Sequence, residues 1–187
     1  MDKQFNEALR RAAQYNNVAE IKKHYTGNEV LYDIIATAGA YNNLDVLKYL
    51  ITLKTSQEDL EYGMTEALFM ACQNGHLAIV DFLISRGAHL LPFRDGESRT
   101  HLHAAAGRGR KEIVLRLLDA GVPADIRNED NFTPLMEAVG NERTEIVELL
   151  ITHGADPFLK DEYGLSAKKR ALRCNEEIKS FIGAIKK

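Results

Sequence analysis

Gly75-His76-Leu77-Ala78-Ile79-Val80-Asp81-Phe82-Leu83-Ile84-Ser85-Arg86-Gly87-Ala88 returns twice along the chain, as Lys111-Glu112-Ile113-Val114-Leu115-Arg116-Leu117-Leu118-Asp119-Ala120-Gly121 and as Glu145-Ile146-Val147-Glu148-Leu149-Leu150-Ile151-Thr152-His153-Gly154-Ala155-Asp156. The closing glycines, Gly87, Gly121 and Gly154, stand 34 and 33 positions apart, and Leu68, Leu102 and Leu135 keep the same spacing. Ile35 precedes Leu68 by 33, whereas Leu9 precedes Ile35 by only 26, so the first unit has a shortened connection. Self-similarity at this fixed period marks a stacked-repeat architecture in which no unit buries its apolar face alone.

Within a unit the pattern describes two helices and an extended connection. Thr133-Pro134 supplies an N-cap and a proline at the first helical position, where a missing amide hydrogen is harmless because that donor has no intrahelical partner. Ile146, Val147, Leu149 and Leu150 then form one apolar face of a second helix, closed by Gly154 in the left-handed conformation. Asn16-Asn17, Asn42-Asn43 and Asn131 stand at turns, and asparagine tolerates positive φ next best to glycine.

These residues resemble the ankyrin repeat family over nearly the whole chain. Thr133-Pro134-Leu135 and Thr100-His101-Leu102-His103 match its helix-opening motif, Ala71 and Ala104 to Ala106 its small packing residues, Gly75-His76 its inter-helix turn, and Gly154-Ala155-Asp156 its closing turn. Glu66-Ala67-Leu68-Phe69 departs from it by lacking Thr and Pro. The resemblance implies an all-α solenoid of helix-turn-helix units with extended β-turn connections: one domain over 1–187, with repeats at 1–27, 28–60, 61–93, 94–127 and 128–160 and a polar C-terminal cap at 161–187.

Composition agrees with a soluble globular protein: 187 residues, 45% hydrophobic and 27% charged, with 24 Lys and Arg against 27 Asp and Glu. A net charge of −3 argues against duplex nucleic acid or an anionic membrane as a partner of the whole molecule. Met1 to Arg11 is too charged for a secretory leader, and no apolar run approaches the roughly 20 residues of a membrane helix. Cys72 and Cys174, far apart and outside any zinc-type spacing, are expected to be reduced thiols of a cytoplasmic protein.

Four features invite chemistry, and each has a plainer reading. His101 and His103 point about 200° apart on a helix, unlike a metal pair, and His103 stands at a capping position. Gly107-Arg108-Gly109-Arg110-Lys111 lacks the Lys-Ser/Thr ending of a nucleotide loop and suits an inter-helix turn. Cys72, His76 and Asp81 fall on core and turn positions, so Cys72 is expected to be a core thiol. Lys160 to Lys187 carries eight positive and four negative residues, a basic stretch that suits either a solubilising cap or an acidic partner. No catalytic residue, metal or cofactor is expected.

The resemblance places partner binding on the concave side, at the ends of the first helices and on the loop tips. Tyr15, Tyr41, Asn74, Arg108 and Asn141 follow the small-residue pairs; Phe93, Arg94, Arg99, Phe132 and Tyr163 lie in the connections. Tyr15 and Tyr41 hold equivalent places in neighbouring repeats, which predicts two phenols side by side, and aromatic plus arginine is the composition of interface anchors. Leu90-Leu91-Pro92-Phe93 is apolar where a turn is normally polar, and either packs underneath or forms a contact patch. The expected function is a monomeric, non-enzymatic scaffold or adaptor for another protein. The alternatives are a stoichiometric regulator or inhibitor of an enzyme, and a bacterial effector acting on a host protein in the host cytoplasm.

Overall fold

The structure is a computed structural model that describes residues 3–27, 31–91 and 100–186. It packs as two compact units, Met1–Phe93 and Arg94–Lys187. The first contains the helices α1 (Lys3–Gln14), α2 (Val18–His24), α3 (Tyr32–Ala40), α4 (Leu44–Leu50), α5 (Gln57–Asn74) and α6 (Leu77–Ser85). The second contains α7 (His101–Gly107), α8 (Lys111–Asp119), α9 (Pro134–Gly140), α10 (Thr144–Thr152), α11 (Ala167–Ala171) and α12 (Glu176–Ala184). Among the described residues, each unit is therefore a stack of three helix pairs.

Within each unit the first helices of successive pairs pack on one another, α1 on α3 on α5 and α7 on α9 on α11, while α2 meets α4, and α8, α10 and α12 follow in turn. The residues that set the sequence period line this contact: Leu9, Ile35, Leu68, Leu102 and Leu135 are all fully buried. The second helices add Ile79, Val80 and Leu83, then Val114 and Leu117, then Val147 and Leu150. Each such side chain, wholly removed from water, contributes roughly 1.5–3 kcal/mol before conformational entropy is charged against it.

Local signals place the ends. The Thr133 hydroxyl accepts the Met136 amide at 3.3 Å with Pro134 beside it in the first turn, and Gly87, Gly121 and Gly154 all take positive φ after their helices. Asn16, Asn42 and Asn131 adopt φ of 53°, 61° and 56°, as the turn positions require. Glu142 holds the same backbone conformation, at φ 54°, without the side chain that makes it easy.

The boundary expected at 60/61 falls inside α5, an unbroken helix of 18 residues. Ser56 opens it, its hydroxyl accepting the Asp59 amide at 3.0 Å, and Glu58 and Asp59 favour the positive end of the helix dipole. Glu66-Ala67 lacks an opening motif because the helix is already running there. The connection between the second and third pairs is consequently shortened to residues 51–56, and α5 packs along α3 so closely that a Cβ on Gly39 would meet Ala67 Cβ at 2.6 Å.

Neighbouring pairs are also tied by a side chain from the inter-helix turn to a main-chain oxygen one repeat back. Asn43 Nδ2 donates to Gln14 O at 2.8 Å and His76 Nε2 to Ala40 O at 3.0 Å. In the second unit Arg143 Nε donates to Gly107 O at 3.1 Å and the Cys174 thiol to Val139 O at 3.2 Å. At Gln14, Ala40 and Gly107 the acceptor is a carbonyl that the helix end leaves open, while Val139 O also accepts the Glu142 amide.

Candidate functional site

In the first unit the exposed sides of α1, α3 and α5 form a groove of about 360 Å³. Its floor is Ala36, Thr37 and Ala40, and its walls carry Tyr32, Tyr41, Tyr62 and Met70. Tyr32 and Tyr62 meet edge to face with ring centroids 5.2 Å apart, while Tyr41 stays 53% exposed at the mouth. Arg10 and Asp33 form an ion pair across the groove from α1 to α3. Both groups are solvated, so the pair adds at most about 1 kcal/mol and chiefly positions the guanidinium.

Tyr15 is 73% exposed but belongs to a different depression, with Glu7, Arg11, Asn17 and Glu20. No ring contact joins it to Tyr41 among the described residues. The two phenols expected side by side are thus apart. Each ring follows its own helix out to solvent and lines its own depression, so shared register does not bring them into contact. Asn74 is exposed, with its amide donating to Ala40 O at 3.0 Å.

The sequence reading missed Arg10, Tyr32, Tyr62 and Met70. It took residues at the ends of the first helices and in the connections, whereas the groove runs along the helices. Tyr62, Glu66 and Met70, spaced by four, lie on one helical face, and that spacing was the available signal.

In the second unit Arg108, Asn141 and Tyr163 are exposed, Tyr163 by 76%. The neighbouring Glu162 pushes the Tyr163 phenol above its usual range, through a hydrogen bond and then its charge. Phe132 is instead drawn into the packing. Its carbonyl accepts His103 Nε2 at 2.9 Å and the Arg170 guanidinium lies 4.6 Å over its ring. The same guanidinium pairs with Asp161, a buried carboxylate that also accepts the amides of Leu165 at 2.8 Å and Tyr163 at 3.0 Å. Burial alone would raise the Asp161 pKa; the amides and Arg170 outweigh it and hold the group below its ordinary value. Phe93, Arg94 and Arg99 lie outside the described residues, as do Pro92 and Glu97.

The features weighed for chemistry have structural employment. His103 Nδ1 accepts at Thr100, closing a capping box, while its Nε2 serves Phe132, so both ring nitrogens are engaged. His76 is held at Ala40, and burial pushes the Cys72 thiol far above its ordinary pKa, which removes thiolate reactivity at neutral pH. The Gly107–Lys111 turn is clasped by Arg143. No described helix is long and apolar enough to cross a membrane.

Comparison with known proteins places this geometry. The family described as ankyrin repeats (3 copies) matches residues 9–94 and 89–161. An ankyrin repeat-containing protein of Treponema pallidum (strain Nichols) is 31% identical over 134 residues, 72% of this chain and 45% of its own length. An ankyrin repeat protein of fowlpox virus (strain NVSL) is 29% identical over 158 residues, covering 80% of this chain and 46% of the viral protein. The B-cell lymphoma 3 protein homolog of Mus musculus is 31% identical over 127 residues, 66% of this chain and 28% of that protein. The chain thus spans less than half the length of each of these relatives. Paired helices at a period of 33 to 34, the Thr caps of α7 and α9 and closing glycines at positive φ agree with the matched residues, and the chain belongs to the ankyrin repeat family.

Proposed function

We propose that the chain is a non-catalytic adaptor that binds a partner protein on the exposed sides of its first helices, anchored in the Tyr41 groove of the first unit. Ankyrin repeats generally mediate protein–protein interaction. The observation that carries the reading is the groove itself, where three tyrosines, a methionine and Arg10 converge on a floor of small side chains. That is the composition of binding hot spots, which gather aromatic and arginine side chains around a pocket. Tyr15 and Asn74 would extend the contact within the first unit, and Arg108, Asn141 and Tyr163 are candidate contacts of the second unit taken by itself, in a cytoplasmic setting suited to the two free cysteines.

The test is affinity capture from lysate with the wild-type chain and with Tyr41→Ala, whose fold is checked by circular dichroism. A specific partner held by the wild type and weakened at least tenfold by Tyr41→Ala supports the reading, since Tyr41 is exposed and removing its ring leaves the core intact. Equal capture by both proteins places the contact elsewhere and overturns the groove assignment.

A further inference from the structure

We propose that the second unit carries a separate pocket for an acidic, partly apolar peptide segment of a partner protein. The pocket is a half-enclosed cavity of about 370 Å³ between the end of α9 with its following turn and the segment from Leu165 to Cys174. Lys169 and Arg173, four positions apart and both exposed, supply its positive charge.

What singles these two out is the employment of the surrounding cations. Arg170 is committed to Asp161 and Phe132, Lys168 to the carbonyls of Gly183 and Ile185, and Lys179 to Glu176. Lys169 and Arg173 have no side-chain partner among the described residues. An ammonium and a guanidinium on one wall of a concavity suit carboxylates, and a guanidinium fork binds one through two parallel hydrogen bonds.

The remaining lining narrows the ligand. Leu165 and Leu172 face the same cavity, and Leu172 is 65% exposed, so the occupant brings an aliphatic or aromatic side chain beside its acid. Glu142 lines the same cavity and repels any anion beside it, so the occupant's acid belongs at Lys169 and Arg173, and a short peptide with one or two carboxylates fits better than a continuous run of phosphates. Cys174 is a neutral thiol spent on Val139 O, and burial followed by Glu142 raises its pKa, so the pocket binds without presenting a nucleophile. This site is independent of the Tyr41 groove.

An array of ten-residue synthetic peptides, varied in Asp and Glu content and in Leu and Phe content, tests it with the full chain. The bound set should be enriched in an acidic residue next to an apolar one, and binding should weaken as sodium chloride rises from about 50 to 300 mM. Lys169→Glu with Arg173→Glu should reduce affinity at least tenfold, while Tyr41→Ala leaves it unchanged. Thermal melts confirm folding, and the neutral pair Lys169→Gln with Arg173→Gln serves if the charge reversal unfolds the unit. Absence of bound peptides, enrichment without acids, full retention in both double variants, or tighter binding of a single-stranded oligonucleotide would each overturn the proposal.

Discussion

Protonating Asp161 removes the charge that holds the Arg170 guanidinium at Oδ2 and weakens the two backbone amide bonds at Oδ1. Its pKa is depressed in the folded chain, so its contribution is complete above the unfolded value near pH 4 and is lost as pH falls through the folded one. Asp161→Ala is expected to destabilise the chain by about 2–3 kcal/mol at pH 7, the scale of hydrogen bonds to a charged group left unmade. Urea unfolding at pH 7 and at pH 3 checks this: the gap from wild type should narrow in acid, and a gap constant with pH would refute the assignment. Glu142 offers the opposite change. Glu142→Gly relieves a left-handed backbone and should raise stability by up to about 1 kcal/mol, read as a higher melting temperature.

At the scale of helices, α3 and α5 approach closely at Gly39 and Ala67. Gly39→Val forces them apart and is expected to cost at least about 1–3 kcal/mol, the range for overpacking, with faster hydrogen exchange along both helices. Ser56→Ala should cost about 1 kcal/mol and fray the first turn of α5, visible as lost amide protection from Gln57 to Leu60. Exchange unchanged there would mean that packing rather than the cap holds the turn. These elements also show what sequence alone conveys. Thr100, Thr133 and the closing glycines were legible because capping and positive φ are demands of the local backbone. The continuous helix through Glu61 was not, since the family's period suggested a boundary where the local signal, Ser56 followed by two acids, lies further upstream. The groove was only half legible: Tyr41 sits at a marked turn, but Tyr32 and Tyr62 meet through the tertiary contact of α3 with α5.

Over the whole chain, stability in a stack is set mainly by neighbours, because a repeat touches little beyond the adjacent ones. Each unit has its own buried set, around Leu9, Ile35 and Leu68 in one and Leu102 and Leu135 in the other. Gly39→Val and Asp161→Ala should therefore each weaken protection in their own unit, and their effects should add within about 0.5 kcal/mol. Hydrogen exchange read peptide by peptide decides this; loss of protection spread evenly over both units by either change would show a single cooperative block.

Asparagine, histidine, arginine and cysteine all serve at the joint between pairs, donating a hydrogen bond to a main-chain oxygen of the repeat before. The joint asks for a donor of sufficient reach and nothing more, because its acceptor is present whatever the side chain above it. A repeat copied into a new place therefore needs no co-adapted partner for this bond. Such a fastening lets units be duplicated, exchanged or drift apart in sequence while the stack stays closed, which leaves the exposed side chains free to diversify.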